Sequence, residues 1–353
     1  MAEYKWLDIE KIRRYCEELF NSYGFTSNES KVITNVLLRA DLYGIESHGV
    51  QRLVRYHDEI VTGLVDVKSK PEIVHETAIS ATIDAQKAMG QLVGVQAMEL
   101  AIQKARNIGC GMVTVRNSNH YGIASYYTEM AAEADLLGIC MTNSEAISVP
   151  VFGRQPMIGT NPIAFAMPAE PLNFSFDAAT TVIPRGKLEV YVKNGTALPD
   201  QWALDSQGKP CTNAAEVLYN IIHKLDGGLA PIGAHKGYGL GIIVDVFTAI
   251  LSGGLTSNYV NITPGLNGIC HWFMAVDYGI FGDKKTIKEN VSTFLRELRD
   301  SRKAEGQQRI YTHGEMEAET MAARINGQIP VNEKTILEMK EIAEKQGVAW
   351  IGG

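Results

Sequence analysis

The hydrophobic period changes twice along this chain, and that change limits the folds open to it more than any single motif does. Over residues 7–23, Ile9, Ile12, Cys16, Leu19 and Phe20 recur at helical spacing. Ser27 and Glu29 then open a second helix over 29–42, and 52–62 reads as a third, shorter one. The middle alternates instead: strands at 71–75, 80–84, 111–115 and 137–142 enclose helices at 91–107 and 123–134. Apolar runs at 162–168 and 174–177 lie close together, which predicts a mixed rather than an all-parallel sheet. A Gly-, Pro- and Asp-rich stretch at 184–209 reads as a long surface loop with some helix. Helices return at 213–225 and 236–251, a buried strand follows at 271–276, and helices at 286–302 and 332–346 close the chain. Helical ends around an α/β middle predict that the termini pack together, with residues 1–70 and 285–353 forming a helical domain and 71–284 a continuous sheet domain.

Composition narrows the partners. At 353 residues and 45% hydrophobic content the chain can bury a large core, as one large or two coupled domains. A net charge of -7 without a basic run argues against nucleic acid, whose binding requires concentrated cations to displace counterions. The five cysteines are odd in number and lack C-x-x-C spacing, which disfavours a disulfide framework and fits a reducing, cytoplasmic setting. The first residues have no apolar signal region, and the most apolar stretch, 239–254, contains Asp245 and falls short of the roughly 20 residues a span needs. No membrane association is expected. Eight histidines show no metal-ligand spacing, so no metal site is expected either.

Two of those histidines sit in specific phrases, Ser47-His48-Gly49 followed by Arg52, and Ser118-Asn119-His120-Tyr121-Gly122. An imidazole flanked by glycine and small polar residues is open to backbone and solvent, and it titrates near neutrality, as a proton carrier must. Arg52, one helical turn beyond His48, is expected on the same helical face, where its planar fork suits a carboxylate. Gly159-Thr160-Asn161-Pro162 offers a hydroxyl and an amide ahead of a strand.

The glycine fingerprint of a Rossmann dinucleotide site is absent: Gly109-Cys110-Gly111 leads into a strand, and Gly237-Tyr238-Gly239-Leu240-Gly241 lacks its last glycine at the required place. Lys236 at a helix start, followed by glycines, nevertheless brings a cation and free N–H groups to one point, as an anion site requires. The small residues after Asp177 leave similar room for a ligand.

In this order, the phrases around His48 and His120, Gly159-Thr160-Asn161-Pro162, Asp177 through Thr181, Gly186-Lys187, Lys236-Gly237-Tyr238-Gly239-Leu240 and Gly314-Glu315 resemble the non-Rossmann malate/L-lactate dehydrogenase family, over nearly the whole chain. Relatives in that family include ureidoglycolate, sulfolactate and diketogulonate oxidoreductases. The resemblance implies a mixed-sheet, three-layer α/β core, a homodimer, and hydride exchange between a nicotinamide (NAD or NADP, NAD favoured) and a small 2-hydroxy or 2-oxo acid. Malate is the preferred substrate, with L-lactate, ureidoglycolate, sulfolactate and diketogulonate as alternatives. It further implies that His48 and His120 are the catalytic imidazoles, with His120 preferred as the base in oxidation, and that Ser47, Arg52, Thr160 and Asn161 meet the substrate. Ser144, Asp177, Ala178, Ala179, Thr180, Lys236 and the Gly314-Glu315-Met316 turn are the implied cofactor contacts, which makes 71–284 the cofactor-binding domain. Two stretches depart from the family pattern, His313 before the Gly-Glu turn and Val182-Ile183-Pro184-Arg185 before Gly186, and they leave cofactor preference open. From another class, a metal-dependent hydrolase would also use paired histidines.

Overall fold

A computed structural model describes residues 4–350, so the outermost three residues of each terminal segment lie outside the described residues. At its centre is a seven-stranded sheet. From edge to edge its strands are Glu72–Glu76, Ser80–Asp84, Cys110–Ser118, Ile269–Val276, Leu137–Thr142, Ile163–Met167 and Phe174–Ala178. Ser80–Asp84 and Cys110–Ser118 run parallel, and every other neighbouring pair in this sheet is antiparallel. The sheet is therefore mixed, as the two adjacent apolar runs predicted.

Helices cover both faces. Successive side chains of a strand point to opposite sides, and in the central strand Phe273 and Ala275 join Val93, Ala97, Ala101 and Tyr127 of the helices Gly90–Ile108 and Ser125–Glu133. Trp272, just before Phe273 in the strand, points the other way and meets Phe247 at 4.9 Å. Phe247 belongs to a π-helical turn, Val246–Ile250, that continues the helix His235–Asp245 and interrupts the unbroken helix expected over 236–251. The result is three layers.

A second apolar cluster joins the two ends of the chain: Ile9, Ile12, Cys16, Leu19 and Phe20 pack with Ile33, Leu37 and Leu53, and with Ile336, Met339 and Ile342 of the helix Glu333–Gln346. The strand Tyr4–Asp8, paired antiparallel with Gln328–Asn332, was not apparent in the sequence. Leu7 fits the helical spacing of the residues after it, yet Asp8 is the N-cap, its carboxylate accepting from Lys11 N, so the helix begins at Ile9.

A third cluster gathers Ile183, Leu188, Leu198, Val217, Ile221 and Leu229. Its helix Arg185–Asn194 occupies the stretch read mainly as loop; Gly186 and Leu188 are its buried residues, and so sparse an apolar pattern gives little helical signal. The turn expected at 314–316 opens a further helix, Glu315–Arg324, in which Glu315 alone is buried. Among the described residues no helix is long and apolar enough to cross a membrane.

Candidate active site

Strand direction brings the motifs together. Ser118 pairs with Ile269, His271 with Thr142, Met141 with Ile163, and Ile163 with Ala178, so the segments carrying His120, Ser144, Thr160 and Asp177 all leave the sheet at one end.

His48 reaches that end from the helical layer. It lies in a 3-10 turn, Glu46–His48, separated from a second one, Val50–Arg52, by Gly49 at φ −86° and ψ −147°. The single helical face expected for His48 and Arg52 is thus broken, because the chain must pass over a buried carboxylate. Asp41, 3% exposed, accepts from Val50 N at 2.8 Å, and a Cβ on Gly49 would come within 2.1 Å of Asp41 Cγ. Burial pushes the Asp41 carboxyl up to about 7. Arg52 Nε donates to Ser47 O at 2.6 Å, while its Nη1 lies 3.7 Å from Glu189. The helix Arg185–Asn194 approaches so closely that a Cβ on Gly186 would sit 2.6 Å from Ser47 Cβ and 2.7 Å from Arg52 Nη2.

His120 arrives from the strand Cys110–Ser118. The Asn119 amide donates to the carbonyls of Lys87 and Ala88, both at 2.9 Å, and Asn267 donates to Asn119 Oδ1 at 2.6 Å. The two imidazoles, 72 residues apart in sequence, stack with ring centroids 5.6 Å apart and planes inclined by 27°. Each is held at Nδ1: His48 by Ser47 Oγ at 2.9 Å, His120 by Tyr56 Oη at 2.8 Å. Neither Nε2 has a hydrogen-bond partner among the described residues. Burial, then the Arg52 and Arg55 guanidinium groups, push His48 down to about 3. Burial, then Arg55, the other imidazole and Arg52, hold His120 well below the ordinary histidine range. Both rings are neutral at physiological pH, the state that accepts a proton.

His271 lies beneath this pair, fully buried. Its ring stacks on Tyr121 at 4.4 Å, and its two nitrogens meet Thr142 Oγ1 at 2.7 Å and Ser118 Oγ at 2.9 Å, tying together the strand ends that lead to Ser144 and His120. Sequence reading passed over His271, Tyr56, Arg55 and Asp41. His271 sits in an apolar strand, and the others lie on helices whose periodicity accounts for them without a site.

The remaining predicted residues form a second cradle. Ser144 Oγ accepts from Thr160 N at 3.0 Å and lies 3.2 Å from Thr160 Oγ1; Thr180 N donates back to Thr160 O at 2.8 Å; and Ile232 N donates to Thr180 O at 2.9 Å, which seats the start of the Lys236 helix against Thr180. That start has no side-chain cap, Lys236 is exposed in its first turn, and Gly239 faces open space. A nicotinamide dinucleotide's phosphates fit such a place.

Two expectations need correction. Asn161, read as a substrate contact, is fully buried; its amide donates to Gly241 O and Asp245 Oδ2 and accepts from Ser144 N and Ser257 Oγ, leaving nothing for a substrate. Glu315 is also committed, to Thr312 N at 2.9 Å and Arg299 at 3.1 Å. Both brace the site from within. Asp177 accepts from Ser125 N at 2.8 Å and so caps the helix Ser125–Glu133, while Gly314, at φ +95°, packs on Ser175 and leaves Met316 exposed. Among the described residues no three His, Cys, Asp or Glu side chains are grouped to hold a metal ion.

Comparison with known proteins accords with this architecture. The family model described as malate/L-lactate dehydrogenase matches residues 7–340. A malate dehydrogenase of Pyrococcus horikoshii is 41% identical, covering 99% of each chain, and an L-sulfolactate dehydrogenase of Methanocaldococcus jannaschii is 34% identical, covering 97% of each. The crystal structure of a malate dehydrogenase from Entamoeba histolytica superposes with a TM-score of 0.95 at 34% identity, covering 99% of both chains. The chain belongs to the malate/L-lactate dehydrogenase family. It is an enzyme of the 2-hydroxyacid dehydrogenase class, which implies a nicotinamide cofactor and a small hydroxy or oxo acid substrate, and sets aside the hydrolase reading.

Proposed function

We propose that this enzyme interconverts malate and oxaloacetate, with NAD preferred over NADP. The observation that carries the proposal is the stacked pair of neutral imidazoles, each fixed at Nδ1 and free at Nε2, beside two arginines. Hydride exchange is the chemistry a bound nicotinamide supplies. In oxidation, His120, positioned through Nδ1 by Tyr56 Oη, takes the hydroxyl proton, and His48, steadied by Ser47, hydrogen-bonds the substrate. Arg52 receives the carboxylate next to the reacting carbon. An anionic substrate also offsets the arginine charge that depresses the imidazoles, which eases protonation of His120 for the reverse step. Ser144, Thr160, Asp177, Ala178, Ala179, Thr180, Lys236 and the turn at Gly314 and Met316 form the cofactor side of the cleft.

The same reading divides the chain into a helical domain of 1–70 and 285–353 and a cofactor domain of 71–284, supported by the joint packing of the two ends. A homodimer is supported by Leu240, Ile243, Ile250 and Leu251, which are exposed together along the outer helix. Five free cysteines suit a reducing cytoplasm.

Single-turnover reduction of oxaloacetate, with NADH and NADPH in parallel, tests the proposal in wild type, His48→Asn and His120→Asn. Loss of the proton-transfer imidazole lowers the rate by about 10²–10⁴. Wild-type rates in both variants refute the assignment.

A further inference from the structure

Arg52 and Arg55 lie near the imidazoles, Arg185 and Lys224 both face Glu145 next to Ser144, and the four charges are engaged to different degrees. Arg185 stands between two carboxylates, 3.1 Å from Glu189 and 3.5 Å from Glu145, and Lys224 lies 3.7 Å from Glu145. Arg52 is turned by its Nε–H bond to Ser47 O. Arg55 differs from all three. Its Nε donates to Glu59 Oε1 at 2.8 Å one helical turn away, and neither of its Nη groups has a partner among the described residues. Glu59 is buried and is gripped in turn by Asn267 Nδ2 at 3.1 Å; Asn267 holds Asn119, the residue before His120. Tyr56, next to Arg55, holds His120 itself. The Arg55 stem is therefore pinned to the catalytic end of the sheet while its guanidinium fork stays open. Side chains three apart at a helical turn are neighbours, with Cβ atoms roughly 5–6 Å apart, which places Arg55 beside Arg52.

We propose that Arg55 is a specificity-determining residue of this site: its free Nη groups bind the far anionic group, carboxylate or sulfonate, of a 2-oxo or 2-hydroxy acid whose near carboxylate is held by Arg52. This deepens the malate reading and rests on it. A planar fork with its Nε already tethered loses little freedom when it receives a second anion, and a charge-assisted bidentate pair discriminates strongly against a substrate that lacks one. The two arginines are also the cations that depress both imidazoles, so an anion at either reaches the proton-transfer group electrostatically.

Oxaloacetate and 2-oxobutyrate have the same carbon count and the same reacting end, and differ in whether the far group is charged. Steady-state kcat and KM for both, in wild type, Arg55→Gln and Arg55→Lys, test the proposal. The expected result is a wild-type preference for oxaloacetate. In Arg55→Gln, kcat/KM for oxaloacetate falls by about 10–100-fold relative to that for 2-oxobutyrate, the size of one charged hydrogen-bonded contact, with the selective loss in KM; any effect passed through the imidazoles falls on both acids alike. Arg55→Lys restores part of the preference. Equal losses on both acids overturn the proposal, because Arg55 then serves the imidazoles alone. A preference that survives in Arg55→Gln overturns it too, leaving the malate reading intact; a wild type indifferent to the far charge overturns both. If Arg55→Gln fails to fold because Glu59 is stranded, the double variant Arg55→Gln/Glu59→Gln removes that charge and is read by the same ratio.

Discussion

Placement of His120 depends on a helix that starts without a side chain. Gly90 opens the helix Gly90–Ile108 against the Asn119-His120 segment; a Cβ there would lie 2.3 Å from Asn119 O, 2.4 Å from His120 O and 2.7 Å from His120 C. Ordinary contact begins near 3.4 Å, so in Gly90→Ala the two backbones must separate by about 1 Å. The obstacles are main-chain atoms, which cannot rotate away, and Asn119 is anchored on both sides by Lys87, Ala88 and Asn267. Overpacking of this kind costs about 1–3 kcal/mol of stability. Displacing a catalytic group by about 1 Å costs about 10²-fold in rate, or roughly 2.7 kcal/mol of transition-state stabilisation. The assay is kcat/KM for malate oxidation alongside thermal denaturation, with Gly327→Ala as control, since a Cβ on Gly327 meets nothing within 4 Å. Gly90→Ala is expected to stay folded at the assay temperature with kcat/KM lowered about 100-fold, while Gly327→Ala matches wild type. A folded Gly90→Ala enzyme within threefold of wild type refutes the argument that this close approach fixes His120.

Two further outcomes follow from the imidazole pair. Because burial and the arginines lower the imidazole pKa values, the basic form persists as pH falls: kcat/KM for oxidation should hold near its plateau at pH 5.5, where an imidazole titrating at 6.5 would leave about a tenth. A fall to a tenth in an initial-rate profile would show that the rings titrate normally. Tyr56→Phe removes the side-chain partner of His120 Nδ1, which also accepts from Gly122 N at 3.4 Å, and should lower kcat by about five- to tenfold, the size of one ordinary hydrogen bond, without unfolding the protein. An unchanged kcat by the same assay would show that packing and the Gly122 N–H suffice to orient the ring.

Much of the candidate site was readable because its chemistry is local. His48 with Ser47 and His120 with its glycine and asparagine are short phrases whose residue types narrow what they can do, and the mixed sheet followed from apolar runs too close together for crossover helices. The same local reading misjudged Asn161 and Glu315, which have the polarity of ligand contacts but spend every hydrogen bond bracing the fold. It also missed the helices Arg185–Asn194 and Glu315–Arg324, because their few buried positions set up no apolar period.

By itself, then, the sequence determined the alternation of elements, the helical character of both ends and the two histidine phrases proposed to carry the chemistry, since period and side-chain chemistry are properties of neighbouring residues. Folding alone decided that His48 and His120 stack, that Ser47 and Tyr56 hold them at Nδ1, that His271 ties the strand ends beneath them, and that Arg55 keeps an open fork beside Arg52. Those facts depend on sheet order and on burial, which join residues far apart in the chain and set how strongly water screens their charges.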